Sequence, residues 1–316
     1  MPNWKTELTS SGKKLAQVNI RRGILQGDSL SPLLFVVAMI PMTRVLKKME
    51  VGYQLKKGGS RINHLMFMDD IKLFGKSDKE IETLVQTVRI ISQDIRMEFG
   101  IEKCALINIK RGKITRSNGI QLPDGNTIKE IDETGYKYLG IIEGEAIKHQ
   151  EMKDNIRKEY LKRVKAILKS KLNSGNMVKA INTWGWAVPV IRYTAGIINW
   201  TKEELCNLDR KTRKIMTMYR ALHPRSNTNR LYAPRKEGGK GLLSIEDCVN
   251  IESRALGQYL KNSEDQWLRD AWEERLIKMD EEPDEYKRRI SKIRIDDWHN
   301  KPMHGQFIGQ TEHLAS

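Results

Sequence analysis

The chain has 316 residues, 39% hydrophobic and 30% charged, which suits about two cored, water-soluble domains. Lys and Arg number 56 against 40 Asp and Glu, and the resulting charge of +16 attracts polyanions without naming one. No apolar run approaches the roughly 20 residues that cross a bilayer, and Met1 to Lys5 lack a signal-peptide core, so we expect a protein inside the cell, in nucleus or cytoplasm, with no membrane partner.

The start is polar, with a turn at Thr9-Ser10-Ser11-Gly12 and a short strand predicted over 15–20. After Arg21-Arg22-Gly23 comes a loop, Gln26-Gly27-Asp28. Ser31-Pro32 reads as a helix start, with an N-cap Ser and Pro at the first helical position. Pro41 should bend or end this helix before residues 42–49 continue it. A short strand is predicted at 53–55. Alternation over 62–67 and 71–74 then predicts a tight hairpin with Met68-Asp69-Asp70 at its tip.

Ser77-Asp78-Lys79-Glu80 has the form of a capping box, followed by Ile81, Leu84, Val85, Val88, Ile91 and Ile95 at helical spacing, with Gly100 as the stop. Strands are expected over 101–109 and 136–142, with a Pro123-Asp124-Gly125 turn between them. From Ala146 the pattern is helical. Met152, Ile156, Tyr160, Val164, Ile167 and Leu168 make one long amphipathic helix. A helix carrying Trp184 and Trp186 should bend at Pro189. Thr201-Lys202-Glu203-Glu204 is a second capping box, and Ser244-Ile245-Glu246-Asp247 resembles a third. Gly238-Gly239-Lys240-Gly241 lacks the Ser or Thr of a phosphate loop and reads as a turn. The chain is thus α+β to about residue 145 and all-α after it.

The positive charge is concentrated in the helical part. Residues 148–172 hold nine Lys/Arg against three acids, and 210–240 hold ten against Glu237 alone. Lys153, Arg157, Lys158, Lys162, Arg163, Lys165, Lys169 and Lys171 line a helix whose apolar stripe faces elsewhere. Cations in that arrangement suit a phosphate backbone, through contacts that are salt-sensitive and indifferent to sequence. A solvated helix face is the competing reading. Arg210, Lys211, Arg213 and Lys214 form a second basic patch.

Two adjacent carboxylates in an apolar strand setting are costly unless something cationic neutralises them. Carboxylate oxygens suit Mg²⁺ or Mn²⁺, as phosphoryl-transfer sites require. Taken alone, Asp69-Asp70 is also compatible with a plain acidic turn.

The surrounding motifs change that balance. Phe67-Met68-Asp69-Asp70 resembles the aromatic-x-Asp-Asp motif of reverse transcriptases. Residues 23–35, from Gly23 through Gln26-Gly27 and Ser31-Pro32 to Phe35, resemble that family's Gln-Gly and Ser-Pro motif. Phe99-Gly100-Ile101-Glu102-Lys103-Cys104 resembles its lysine motif, and Tyr136-Lys137-Tyr138-Leu139-Gly140 its primer grip. The four stand in the family's order, and their flavour resembles the non-LTR retrotransposon branch. A fainter likeness continues through Pro189 to Tyr193 and Trp200.

The resemblance implies a partial reverse-transcriptase palm, an antiparallel sheet with packing helices, over 1–142, and a helical thumb and C-terminal region over 143–316. It implies that Asp69 and Asp70 ligate Mg²⁺ or Mn²⁺ and that Lys103 assists the leaving group. Gln26 and Gly27 would lie by nucleotide and template. Tyr138, Leu139 and Gly140 would steady the primer, and Arg157, Lys158, Lys162, Lys165, Arg210 and Arg213 would hold nucleic-acid backbone. Partners would be an RNA template, a DNA primer or target, and dNTPs. The pattern departs in one respect: the family's first metal-binding aspartate precedes the Gln-Gly motif, and the first twenty residues contain no aspartate. Alone, therefore, the chain is expected to be inactive without the N-terminal part of the polymerase. The alternative is a non-catalytic nucleic-acid-binding remnant of such an element.

Overall fold

The structure is a computed structural model that describes residues 4–20, 23, 27–97, 100–117, 119–132, 134–183, 186–274 and 281–300. Gln26, Phe99 and Trp184 lie outside the described residues. The chain divides into two compact units, one of Met1–Cys104 with Ile120–Thr127 and one of Ala105–Gly119 with Ile128–Ser316. The α+β class holds, with paired strands before residue 144 and helices from His149 onward.

In the first unit, β1 (Trp4–Ser10) and β2 (Lys13–Ile20) form one long hairpin. The polar start is thus a second strand, extending the predicted one. Its turn residues Ser11 and Gly12 both have positive φ, the backbone that matches the right-handed twist of a two-residue hairpin.

Helix α1 (Ser31–Lys48) corrects the expected cap. Ser31 is already helical and Leu30 occupies the cap position without a side-chain bond. Asp28 takes over this role: its carboxylate accepts the Leu30 amide at 2.9 Å and its carbonyl the Ser31 amide at 3.3 Å. Pro41 sits inside the helix and does not end it, because packing on the face with Met39, Met42 and Leu46 outweighs one lost backbone bond.

Strands β3 (Tyr53–Gln54) and β4 (Arg61–Ile62) pair, as do β5 (His64–Phe67) and β6 (Asp70–Leu73). Helix α2 (Asp78–Asp94) begins with half of the predicted box. Ser77 accepts the Glu80 amide, while the Glu80 carboxylate turns instead to the amides of Lys76 (2.8 Å) and Gly52 (3.2 Å). The helix ends before Gly100, at Asp94, with Arg96 at φ 59°. The predicted strand over 101–109 is replaced by a 3₁₀ turn, Ile101–Lys103, and a short strand β7 (Ile109–Lys110) paired with β8 (Lys113–Ile114). The remaining strand pairs are β9 (Ile120–Gln121) with β10 (Thr127–Ile128), and β11 (Tyr136–Tyr138) with β12 (Ile141–Glu143). Among the described residues the strands pair two by two, so the expected antiparallel palm sheet is not assembled there. Hydrogen-bond partners come mostly from across each strand's own turn.

The second unit holds the β7–β8 and β11–β12 pairs and a helical bundle: α3 (His149–Leu168), α4 (Ser174–Asn182), α5 (Val188–Arg192), α6 (Lys202–Met218), α7 (Thr228–Tyr232), α8 (Ile245–Lys261), α9 (Gln266–Glu273) and α10 (Pro283–His299). The helix expected to bend at Pro189 is two helices, and Pro189 opens α5, where its missing N–H costs nothing. The predicted stripe of α3 is buried against Ile181, Ile191, Leu208, Met216 and Ile245. Among the described residues no helix is long and apolar enough to cross a membrane.

Inside this bundle, Asp209 of α6 is buried and faces the start of α8. Its carboxylate accepts the Ser244 hydroxyl at 3.0 Å and the amides of Ile245 (3.0 Å) and Glu246 (3.3 Å). Ser244 in turn accepts the Asp247 amide, as the third predicted cap requires. Burial pushes the Asp209 carboxyl up, and these donors with Arg213 pull against it. A carboxylate at a helix N-terminus meets unsatisfied N–H groups and the positive end of the helix dipole. Asp209→Ala strands those donors in the core. It should cost about 2–4 kcal/mol, read as a lower urea midpoint at unchanged slope.

Candidate active site and nucleic-acid interface

The first candidate site is the β5–β6 hairpin. Met66 pairs with Ile71 and His64 with Leu73. Met66, Ile71 and Leu73 pack on the core of α1 and α2. Side chains alternate across a strand, so Leu65, Phe67, Lys72 and Asp70 belong to the opposite face. Phe67 is 60% exposed there. The loop between Phe67 and Asp70 is Met68-Asp69 alone, and Met68 is held at φ 54°. A non-glycine residue in that region is strained and persists only when its surroundings enforce it. Asp69 and Asp70 both stand exposed at this tip.

The hairpin is anchored at its base. The Asn63 side-chain amide donates to the Leu46 carbonyl at 2.6 Å, and the Phe74 amide donates to the Asn63 carbonyl at 2.9 Å. Higher up, the Thr43 hydroxyl donates to Met66 Sδ at 3.8 Å. From Asn63 to Met66 the strand climbs toward the carboxylates. From Leu46 to Thr43 the helix climbs toward its own start. The N-terminal end of α1 therefore points the same way as the tip. Ser31 lies about 18 Å beyond Thr43 along the axis, so Gly27, at φ 92°, leads into α1 at that end. Lys103 is exposed in the same unit, on the 3₁₀ turn. Burial and nearby Lys47 lower the pKa of His64, which favours the neutral ring.

The predicted grip residues lie in the second unit. Leu139 (φ 45°) and Gly140 (φ 82°) form the two-residue turn of β11–β12, and Tyr138 pairs with Ile141. The Tyr193 hydroxyl donates to the Leu139 carbonyl at 2.6 Å.

The predicted backbone-binding cations divide into two groups. Arg157 is half-buried and bound internally: it pairs with Asp154 (3.2 Å) and Glu204 (2.8 Å) and lies 5.2 Å from the centre of the Trp200 ring. Lys153 joins it, 2.7 Å from Glu204 and 5.7 Å from the same ring. Arg213 donates to the Tyr232 hydroxyl at 2.8 Å. By contrast, Lys158, Lys162, Lys165 and Arg210 are exposed. On α3 the sequence spacing 158, 162, 165, 169 keeps four lysines on one face. Lys162 also reaches Glu159 at 3.6 Å, and Arg210 donates to Asn207 at 3.0 Å. Charge density along the sequence did not separate the two groups. Trp200 and the Thr201 box were the available signals, since Glu204 closes that box and faces α3.

Residues 2–142 match the family described as reverse transcriptase (RNA-dependent DNA polymerase). This segment is therefore similar to reverse transcriptases, and the relatives it matches are Pol polyproteins of retrotransposable elements. It is 28% identical over 140 residues to the retrovirus-related Pol polyprotein from type-1 retrotransposable element R2 of Popillia japonica, covering 43% of this chain and 23% of that protein. It is 29% identical over 143 residues to the corresponding type-2 element R2DM protein of Drosophila melanogaster, covering 43% and 13%. It is 28% identical over 148 residues to the type-1 R2 protein of Nasonia vitripennis, covering 44% and 14%. The match thus spans less than a quarter of the length of these relatives.

Glu204 gives this region a measurable pH signature. Burial pushes its carboxyl up, but Lys153, the Thr201 amide and Arg157 outweigh that and hold it at about 2. A carboxyl held low by the fold stabilises it only while ionised. Glu204→Gln should therefore cost about 1–2 kcal/mol at pH 7, between the surface and buried limits for ion pairs. The deficit should be full above the ordinary value of 4.5 and shrink as the pH falls toward 2. Urea unfolding of both proteins at pH 7, 4 and 2.5 checks the sign.

Proposed function

We propose that this chain is part of an RNA-directed DNA polymerase module of a non-LTR retrotransposon, extending a DNA primer on an RNA template with dNTPs. The observation that carries the reading is the pair Asp69-Asp70. It stands on a strained, anchored hairpin packed beside the helix that springs from the Gln-Gly loop, within reverse-transcriptase sequence. In this reading Asp69 and Asp70 hold Mg²⁺ or Mn²⁺, for which exposed carboxylate oxygens are suitable ligands. A divalent ion bound there neutralises phosphoryl charge and favours attack by the primer hydroxyl.

The chain's own side chains take the remaining roles. Gln26 and Gly27 border nucleotide and template, and Lys103 supplies positive charge or a proton to the leaving pyrophosphate. Tyr138, Leu139 and Gly140 steady the primer. Lys158, Lys162, Lys165 and Arg210 hold the phosphate backbone, with Arg157 and Arg213 shaping the surface behind them. Residues 1–142 and 143–316 act as palm and thumb.

The carboxylate pair fits half of a two-ion site. Among the described residues no group of three or more His, Cys, Asp or Glu is gathered for a metal. The further ligand comes, in this reading, from polymerase sequence outside these 316 residues. An apolar stripe on α1 supports that: Leu33 (59% exposed), Val36, Val37 and Ile40 recur at helical spacing, opposite the face buried on α2, and suit packing against a further polymerase segment. The chain alone is then catalytically inactive. The lysine face of α3 favours a second reading, a nucleic-acid-binding remnant without catalysis.

Primer extension separates the two. Joined to the polymerase sequence that precedes it, the chain should extend a DNA primer on RNA with Mg²⁺. Asp69→Ala should cut that rate about a thousandfold, the several kcal/mol that metal catalysis supplies. Extension unaltered by Asp69→Ala rules out the catalytic assignment. Duplex binding across a salt series tests the lysine face. The triple Lys158→Ala, Lys162→Ala, Lys165→Ala protein should flatten the log–log salt slope by about 2–3. An unchanged slope removes these lysines from the interface.

A further inference from the structure

The β11–β12 turn carries an unusual residue. A two-residue hairpin loop with positive φ at both positions favours Asn, Asp or Gly, yet its first position here is Leu139 at φ 45°. Two other hairpin turns, Ser11-Gly12 and Arg111-Gly112, share this φ pattern, but Leu139 has in addition a contact from a distant element. Tyr193 supplies it. Its hydroxyl donates to the Leu139 carbonyl at 2.6 Å, and its ring carbon Cε1 lies 3.5 Å from where a β-carbon on Gly140 would stand.

The tyrosine is itself fixed. Val188 and Ile191 of α5, just before it, are fully buried, and Thr194, just after it, is 3% exposed. Arg192 pairs with Glu252 of α8, and α5 packs on that helix. Tyr193 itself remains 62% exposed. Its own side chain contributes little to the core, while its buried neighbours fix its backbone and leave its hydroxyl to meet the turn.

We propose that Tyr193 is a positioning residue for the primer terminus, acting through the Leu139-Gly140 turn; the inference rests on the reading of Tyr138-Leu139-Gly140 as the primer grip. The bundle core sets α5, α5 sets Tyr193, and the hydroxyl fixes the carbonyl at the turn. An exposed hydrogen bond competes with water, so its removal should loosen the turn several-fold without unfolding the unit.

Tyr193→Phe in the full chain is the test, with two readouts. Hydrogen exchange of residues 136–143 should rise several-fold while other segments and Tm are unchanged. The preference for a primer–template with a recessed 3′ end over a blunt duplex, measured by fluorescence anisotropy, should fall about 3–10-fold, with blunt-duplex affinity unaffected. Unchanged exchange at the turn overturns the inference. So does raised exchange with the recessed-end preference intact. A failure of the underlying reading has its own pattern: wild type and Gly140→Val, which forces a branched side chain into φ 82°, would both bind recessed and blunt ends alike. That result removes the grip assignment and this inference together.

Discussion

The first unit depends on the alternation of side chains along β5 and β6. One face of the hairpin must satisfy Met66, Ile71 and Leu73, which α1 and α2 enclose. With that face committed, the register is fixed, since a slip of one residue would turn the apolar set outward. A fixed register leaves only Met68-Asp69 to join the strands, forces Met68 into positive φ, and delivers Asp69 and Asp70 to the tip. The position of the carboxylates is thus set by packing several residues away from them.

In the helical unit, charge serves two different purposes. Lys153 and Arg157 are drawn inward to Glu204 and the face of Trp200, where Coulomb attraction and cation–π contact offset their desolvation. On another face of α3, Lys158, Lys162 and Lys165 are exposed to solvent. Asp209 shows the same economy with the opposite sign: a buried carboxylate compensated by helix N–H groups. Helix periodicity thus divides the same residue types between internal pairing and the solvent-facing side of α3.

Much of the local structure was legible because it follows from neighbours in sequence. The Thr201 capping box forms in full, and the apolar stripe of α3 is buried as its spacing requires. The expectations that failed share a cause. Ser31 is displaced as cap by Asp28, which reaches two amides from further back. Glu80 leaves its own cap for Gly52, a residue 28 positions away. Residues 101–103 turn instead of extending, although their side chains suit a strand. Each reflects a competing hydrogen-bond partner or a tertiary demand that a local window does not contain.

The sequence by itself determined the match of residues 2–142 to the reverse-transcriptase family, the acidic dipeptide between two apolar runs and the concentration of cations beyond residue 148. Those are matters of order and composition, which the chain carries without folding. Tertiary structure decided which cations are consumed internally, that the start of α1 shares an end with the carboxylate tip, and that Tyr193 meets a turn 54 residues before it. Such facts depend on which surfaces come into contact, and contacts between residues far apart in the chain are set by the core as a whole.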